Sequence, residues 1–324
     1  MGKQAVLLLA HGTPETVEQV PEYLRNVVSG RPIPTQVVEE IQHRYALIGH
    51  SPLTEITCEQ ARLVEAELAA AGVPVPVYVG MRNWRPYIAD VVKRMRADGI
   101  EEAAVICMAP QNSRTSVGLY RRAVEAEAGG LRIDFTEGWA EHPLLAEAFA
   151  ERLRPALHEL STEMGHPVPV LFTAHSVPLR TIQPSAEAAQ GPRLSPGQGA
   201  DSYADDARRT AELVAERARE AAQWWFAFQS QGASGGPWIG PTVEETLDAV
   251  AAAGVKALVL QPIGFLCDHV EILFDVDHLF REYAVKLGIR LERPESLNAS
   301  PTLAKAVTDL AQRGLERIGD RSRQ

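Results

Sequence analysis

The chain has 324 residues, 45% of them hydrophobic and 23% charged, and a formal net charge of −10. This is the composition of a soluble globular protein. The acidic excess argues against nucleic acid as a main partner, because a phosphate-binding face needs clustered Lys and Arg.

No run is long and apolar enough to span a bilayer. The first five residues lead straight into a predicted strand, so no signal peptide is expected. Cys58, Cys107 and Cys267 are far apart and contain no CxxC pair, so neither a structural zinc site nor a cysteine-ligated cluster is expected. Reduced, mostly buried thiols in a cytoplasmic protein are the reading that follows.

Residues 6–10 are an aliphatic run ending at His11-Gly12-Thr13-Pro14. It reads as a central strand and a turn, with Thr13 a candidate helix cap. Helical periodicity covers 17–28, with Pro21 breaking or restarting the helix. A proline-rich break at 30–34 precedes a helix over 36–47, then a loop, then a helix to about 71 capped by Ser51 or Thr54. These helices form a large insertion before the second strand, 75–80, and long insertions often carry function. A regular rhythm follows: helix 88–97, strand 102–108, helix 116–128, strand 132–136 and helix 143–164. The second half begins with strand 168–173 and a Gly/Pro/Ser-rich segment, 183–199, read as a mobile loop. Helix 203–223, strand 225–229, a loop at 232–240, helix 243–252 and strand 257–261 come next. An acidic helix over 268–287, a strand near 289–292 and a closing helix over 300–317 complete the chain. Strands alternating with helices imply parallel sheets covered on both faces. The expected architecture is α/β in two similar halves, 1–164 with a helical insertion at about 14–72, and 165–324.

The glycine-rich stretch 232–236 lacks the order GxGxxG, and no P-loop occurs, so it reads as a connection. The stretch Thr173-Ala174-His175-Ser176-Val177-Pro178 is more informative, because ligands of open α/β sheets bind outside the carboxyl ends of strands. Alone, His175 reads as a half-buried side chain bonded to a carbonyl. The stretch 264–275 adds Asp268, His269, Glu271 and Asp275 after another strand. Acids favour a helix N-terminus, which accounts for Asp268 and Glu271 but less well for Asp275 and Asp277. Glu271 and Asp275, four apart, share a helical face and could hold or pass cations or protons. Both stretches open onto one sheet edge. There His175 and Glu271 suit a divalent-metal pair or a base with its relay.

Several motifs together resemble the ferrochelatase family. In the first half they are Gly12-Thr13-Pro14, Arg44-Tyr45, Ser51-Pro52-Leu53-Thr54-Glu55-Ile56-Thr57 and Gly80-Met81-Arg82. In the second they are Ala174-His175-Ser176-Val177-Pro178, Gln229-Ser230, Pro237-Trp238-Ile239-Gly240-Pro241 and residues 264–277. They run along nearly the whole chain in the family's order. The resemblance implies a chelatase-like fold, two Rossmann-like domains with a porphyrin cleft between them. It implies insertion of Fe2+ into a porphyrin in haem biosynthesis, with release of two protons. His175 falls on the family's catalytic histidine and Glu271 on its key glutamate, both also metal-handling. Asp268 and Asp275 fall on an acidic relay carried by a widened, π-type helix.

The short stretch 26–34 lacks an apolar membrane-contacting lip and resembles the coproporphyrin III ferrochelatases, whose substrate carries four propionates. Arg44, Ser51 and Tyr120 match that subfamily's propionate-binding positions. Arg31 lies beside another, and Tyr45 and His11 complete the implied substrate set. Many of those relatives carry tyrosine where this chain has His11, a residue that could ligate iron or bond a backbone group. The C-terminal cysteines of cluster-bearing members are missing, so no iron–sulfur cluster is expected, nor any tightly bound cofactor. Fe2+ and porphyrin are the expected partners, for a cytoplasmic monomer making transient contacts with neighbouring haem-pathway enzymes. The rivals are a protoporphyrin ferrochelatase, a cobalt chelatase and a non-catalytic haem or metal carrier.

Overall fold

The computed structural model describes residues 2–114, 116–182, 201–219, 223–232 and 236–321. The predicted loop 183–199 and the middle of the glycine-rich stretch lie outside the described residues.

The first half comprises β1 (Gln4–Ala10), a 3-10 turn (Val17–Gln19), α1 (Val20–Val27), α2 (Thr35–Ile48), α3 (Leu53–Ala70), β2 (Val77–Met81), α4 (Ile88–Ala97), β3 (Glu102–Cys107), α5 (Val117–Ala128), β4 (Arg132–Thr136) and α6 (Pro143–Met164). The second comprises β5 (Val170–His175), α7 (Leu179–Ile182), α8 (Tyr203–Ala218), β6 (Trp224–Gln229), α9 (Val243–Ala252), β7 (Ala257–Pro262), a π-helix (Glu271–Phe280), α10 (Arg281–Lys286), β8 (Arg290–Glu292) and α11 (Pro301–Arg321).

Each half builds a four-stranded parallel sheet, ordered β2-β1-β3-β4 and β6-β5-β7-β8. The order reverses at the first strand of each half, and the crevice outside such a reversal is where ligands of these sheets bind. His11 follows β1 and His175 ends β5, so the two histidines stand at corresponding places.

The strands are continuous apolar runs because both faces are covered. Val6, Leu8 and Ala10 face a core that also takes in Val170, Phe172 and Ala174 of the second sheet. Ala5, Leu7 and Leu9 face a separate core against α4 and α5. Helix α6 packs on β7 and α8, while α11 returns to pack on α3, β3 and β4 of the first half. The approach is close at Gly314, where an added Cβ would lie 2.9 Å from the Ala104 Cβ. The halves therefore share helices across a common core.

Three local expectations are corrected. Strand β5 starts two residues later than periodicity suggests, because Pro167 and Pro169 cannot donate to a ladder. The shift brings His175 into the strand, paired with Gln229. Thr13 caps nothing; its hydroxyl hydrogen-bonds the Tyr45 hydroxyl at 2.9 Å. Helix α3 starts after Pro52 with no side-chain cap, and the Ser51 and Thr54 hydroxyls are buried without a hydrogen-bond partner among the described residues.

Candidate active site

β5 delivers His175 to the sheet edge, and Tyr203 of α8 holds its backbone by donating to the His175 carbonyl at 2.9 Å. Its Nδ1 contacts the Ser176 carbonyl, which only accepts, so Nδ1 carries a proton. The other nitrogen, Nε2, faces Glu271 Oε1 at 3.3 Å. Burial lowers the His175 pKa, but the Glu271 charge and hydrogen bond outweigh it and raise the value to about 8. Burial pushes Glu271 up, yet the neighbouring His175 and His269 hold it well below the ordinary carboxylate range. The pair is thus imidazolium and carboxylate near neutral pH. His269 completes the group: its Nε2 is 3.5 Å from Glu271 Oε2, and its Nδ1 donates to the Cys267 carbonyl at 3.0 Å. Its ring lies 4.5 Å from that of Phe265. The sequence alone assigns His269 no role; its spacing, two residues before Glu271, is the signal that marks it.

Glu271 opens the π-helix, and Asp275 lies one turn on. The Ser230 hydroxyl donates to Asp275 Oδ2, and Arg44 Nη1 reaches across from α2 to Oδ1 at 3.1 Å. Arg44 also lies 5.0 Å over the Phe274 ring and bonds Glu40 through Nε. Burial raises the Asp275 pKa, against the Ser230 bond and the Arg44 charge. Asp268 is placed elsewhere. It bonds Arg293 at 3.2 Å, Ser296 at 2.7 Å and Asn298 at 2.9 Å. The acidic row therefore contributes Glu271 and Asp275 to this group, while Asp268 joins Arg293. Among the described residues, no three His, Cys, Asp or Glu side chains are arranged to hold a metal ion.

A second group of side chains, around His11, comes from the first half. Asn83 Nδ2 donates to His11 Nε2 at 2.9 Å. His11 Nδ1 lies 3.1 Å from the Tyr23 hydroxyl and 3.2 Å from the Gly12 carbonyl. Both ring nitrogens are engaged in hydrogen bonds in this structure. Burial lowers its pKa to about 4, so it is neutral. Tyr23 packs edge-on against His11, Tyr45 and Trp84. The Glu271 charge acts on His11, Tyr23 and Tyr45, so the two groups lie within electrostatic reach of each other. Tyr120 is buried on α5. Ser51 is fully buried. Arg31 is exposed on the turn after α1 and donates from Nε to the Val28 carbonyl at 2.9 Å.

Paired parallel sheets with a histidine and an acidic π-helix on one edge define a chelatase-like protein. The solved sirohydrochlorin chelatase SirB from Bacillus subtilis subspecies spizizenii, in complex with cobalt, has a similar fold. The TM-score is 0.55 at 12% identity, covering 97% of this chain and 96% of that one. The family model described as Ferrochelatase matches residues 3–315. A ferrochelatase of Acidobacterium capsulatum is 59% identical, over 98% of this chain and 96% of that protein. A coproporphyrin III ferrochelatase of Mycolicibacterium vanbaalenii is 36% identical, over 96% and 89%. The chain belongs to the ferrochelatase family, the lyases that insert metal into porphyrin in haem biosynthesis. No helix among the described residues is long and apolar enough to cross a membrane.

Proposed function

We propose that the protein inserts Fe2+ into coproporphyrin III, releasing two protons. The observation that carries the porphyrin choice is the polar rim after α1. Ser29, Gly30 and Arg31 are exposed there, and the exposed large hydrophobics of the described residues, Leu47, Leu279 and Val285, lie elsewhere. A tetra-carboxylate ring suits such a rim, whereas an apolar ring drawn from a membrane would favour an apolar one. Similarity to proteins named coproporphyrin III ferrochelatase supports the same choice.

His175 and Glu271 work on one ring face. The pair already holds one proton, so His175 accepts a pyrrole proton only after passing that one on. Asp275, its pKa raised, is the next carboxylate along the π-helix. Fe2+ approaches the same carboxylates as a transient substrate, and no tightly bound cofactor is required. Arg44 keeps Nη2 without a hydrogen bond among the described residues, which leaves a donor for a propionate while Nη1 stays on Asp275. Arg31, the orphaned Ser51 hydroxyl, Tyr45 and Tyr120 are assigned to the remaining ring periphery.

The test is anaerobic turnover of coproporphyrin III and protoporphyrin IX with Fe2+, side by side. A higher kcat/KM for coproporphyrin III is expected; equal or better use of protoporphyrin IX overturns the choice. Porphyrin binding without insertion of either Fe2+ or Zn2+ would make the protein a carrier.

A further inference from the structure

Arg293, directly after β8, reaches back to the π-helix at two places. Its Nε and Nη2 bond Asp277 Oδ1 and Oδ2, each at 2.7 Å. This two-pronged contact is the geometry that fits a guanidinium to a carboxylate. Its Nη1 bonds Asp268 Oδ1 at 3.2 Å. The Arg293 side chain is 10% exposed, so the cluster is largely shielded from water.

The loop carrying Arg293 is itself anchored. Asn298 donates to Asp268 Oδ2 and accepts from the Asp268 amide, both at 2.9 Å. Its backbone has φ +46°, a left-handed conformation that asparagine tolerates better than most residues. Its carbonyl accepts from Gln60 Nε2 of α3 at 2.8 Å. Residues 293–298 therefore bridge α3 to both flanks of the segment 268–277.

That segment carries His269, Glu271 and Asp275. π-Helices are rare and occur mainly as short stretches at functional sites. Unfavourable backbone geometry persists where surrounding contacts over-determine it. Among the described residues, neither Asp268 nor Asp277 contacts His175. Their shared partner is a cation that ties down residues on either side of the reacting groups.

We infer that Arg293 is a positioning residue for metal insertion, stapling the π-helix so that Glu271 meets His175. The inference rests on the ferrochelatase reading. Two variants test it. Arg293→Lys keeps the charge but loses the fork. Asp277→Asn weakens one arm and leaves Arg293 on Asp268. Zn2+ insertion into both porphyrins is measured alongside hydrogen exchange of the 269–277 amides. In both variants kcat is expected to fall about tenfold or more, since small misplacements of reacting groups are costly. The porphyrin KM is expected to stay within roughly twofold, while exchange across 269–277 accelerates and that of β5 does not. A kcat within roughly twofold of wild type in both variants, or unchanged exchange across 269–277, overturns the inference. If Arg293→Lys does not fold, Asp277→Asn decides by the same criteria. Wild-type protein that metallates neither porphyrin defeats the functional reading, and hydrogen exchange still judges the staple.

Discussion

His175 Nε2 and Glu271 Oε1 lie 3.3 Å apart, one at the end of β5 and the other at the start of the π-helix. Their pairing makes insertion depend on pH in a definite direction. Acting as a proton acceptor requires neutral His175, whose pKa is raised to about 8. The kcat/KM for porphyrin should therefore rise with pH and level off above about 8. In Glu271→Gln the raising charge is gone and burial dominates, so this limb should move to lower pH while the plateau falls. His175→Ala should abolish insertion yet leave porphyrin binding largely intact, as read by porphyrin fluorescence. Retained turnover would remove His175 from its central role.

Arg44 ties α2 to the π-helix through Asp275. Arg44→Ala removes this ion pair, the contact with Phe274 and the donor assigned to a propionate. The KM for coproporphyrin III should rise roughly tenfold, equivalent to the loss of one charge-assisted hydrogen bond. Asp275, deprived of the charge that lowers its pKa, should become harder to ionise. An unchanged KM would place Arg44 outside the cleft.

The buried neutral His11 predicts an acid sensitivity. Its folded-state pKa is about 4, against an ordinary value of 6.5. Above pH 6.5 neither state binds the proton, and His11 does not make stability pH-dependent. Between pH 6.5 and 4 the unfolded chain takes up a proton that the native state refuses, so stability falls. Denaturant titrations should show wild type losing up to about 3 kcal/mol relative to His11→Gln over that window. A pH-independent difference would show that His11 does not titrate in this way.

Gly264 follows β7, and an added Cβ would meet the Ala174 Cβ at 3.0 Å and its Cα at 3.1 Å. Gly264→Ala must displace the end of β5, which carries His175. A stability loss of about 1–3 kcal/mol is expected from the overpacking. Turnover should fall about tenfold through misplacement of His175. Calorimetry and steady-state kinetics on the same preparation separate the two, and wild-type turnover would show that β5 does not move.

Local sequence determined much of this protein. Unbroken apolar runs placed the buried strands, and helical periodicity matched Ile88–Ala97, Pro143–Met164 and Val243–Ala252. Those features arise between neighbours in the chain, where spacing alone carries the signal. The strand-end histidine and the His269-x-Glu271 spacing were legible for the same reason. Tertiary structure decided how each polar group is used. Arg44 finds Asp275 across 231 positions, Arg293 takes Asp268 and Asp277, and Asn83 and Tyr23 occupy both nitrogens of His11. The four acids of residues 268–277 look alike in sequence. They are told apart by the cations that distant segments bring to three of them, which leaves Glu271 to face the histidines.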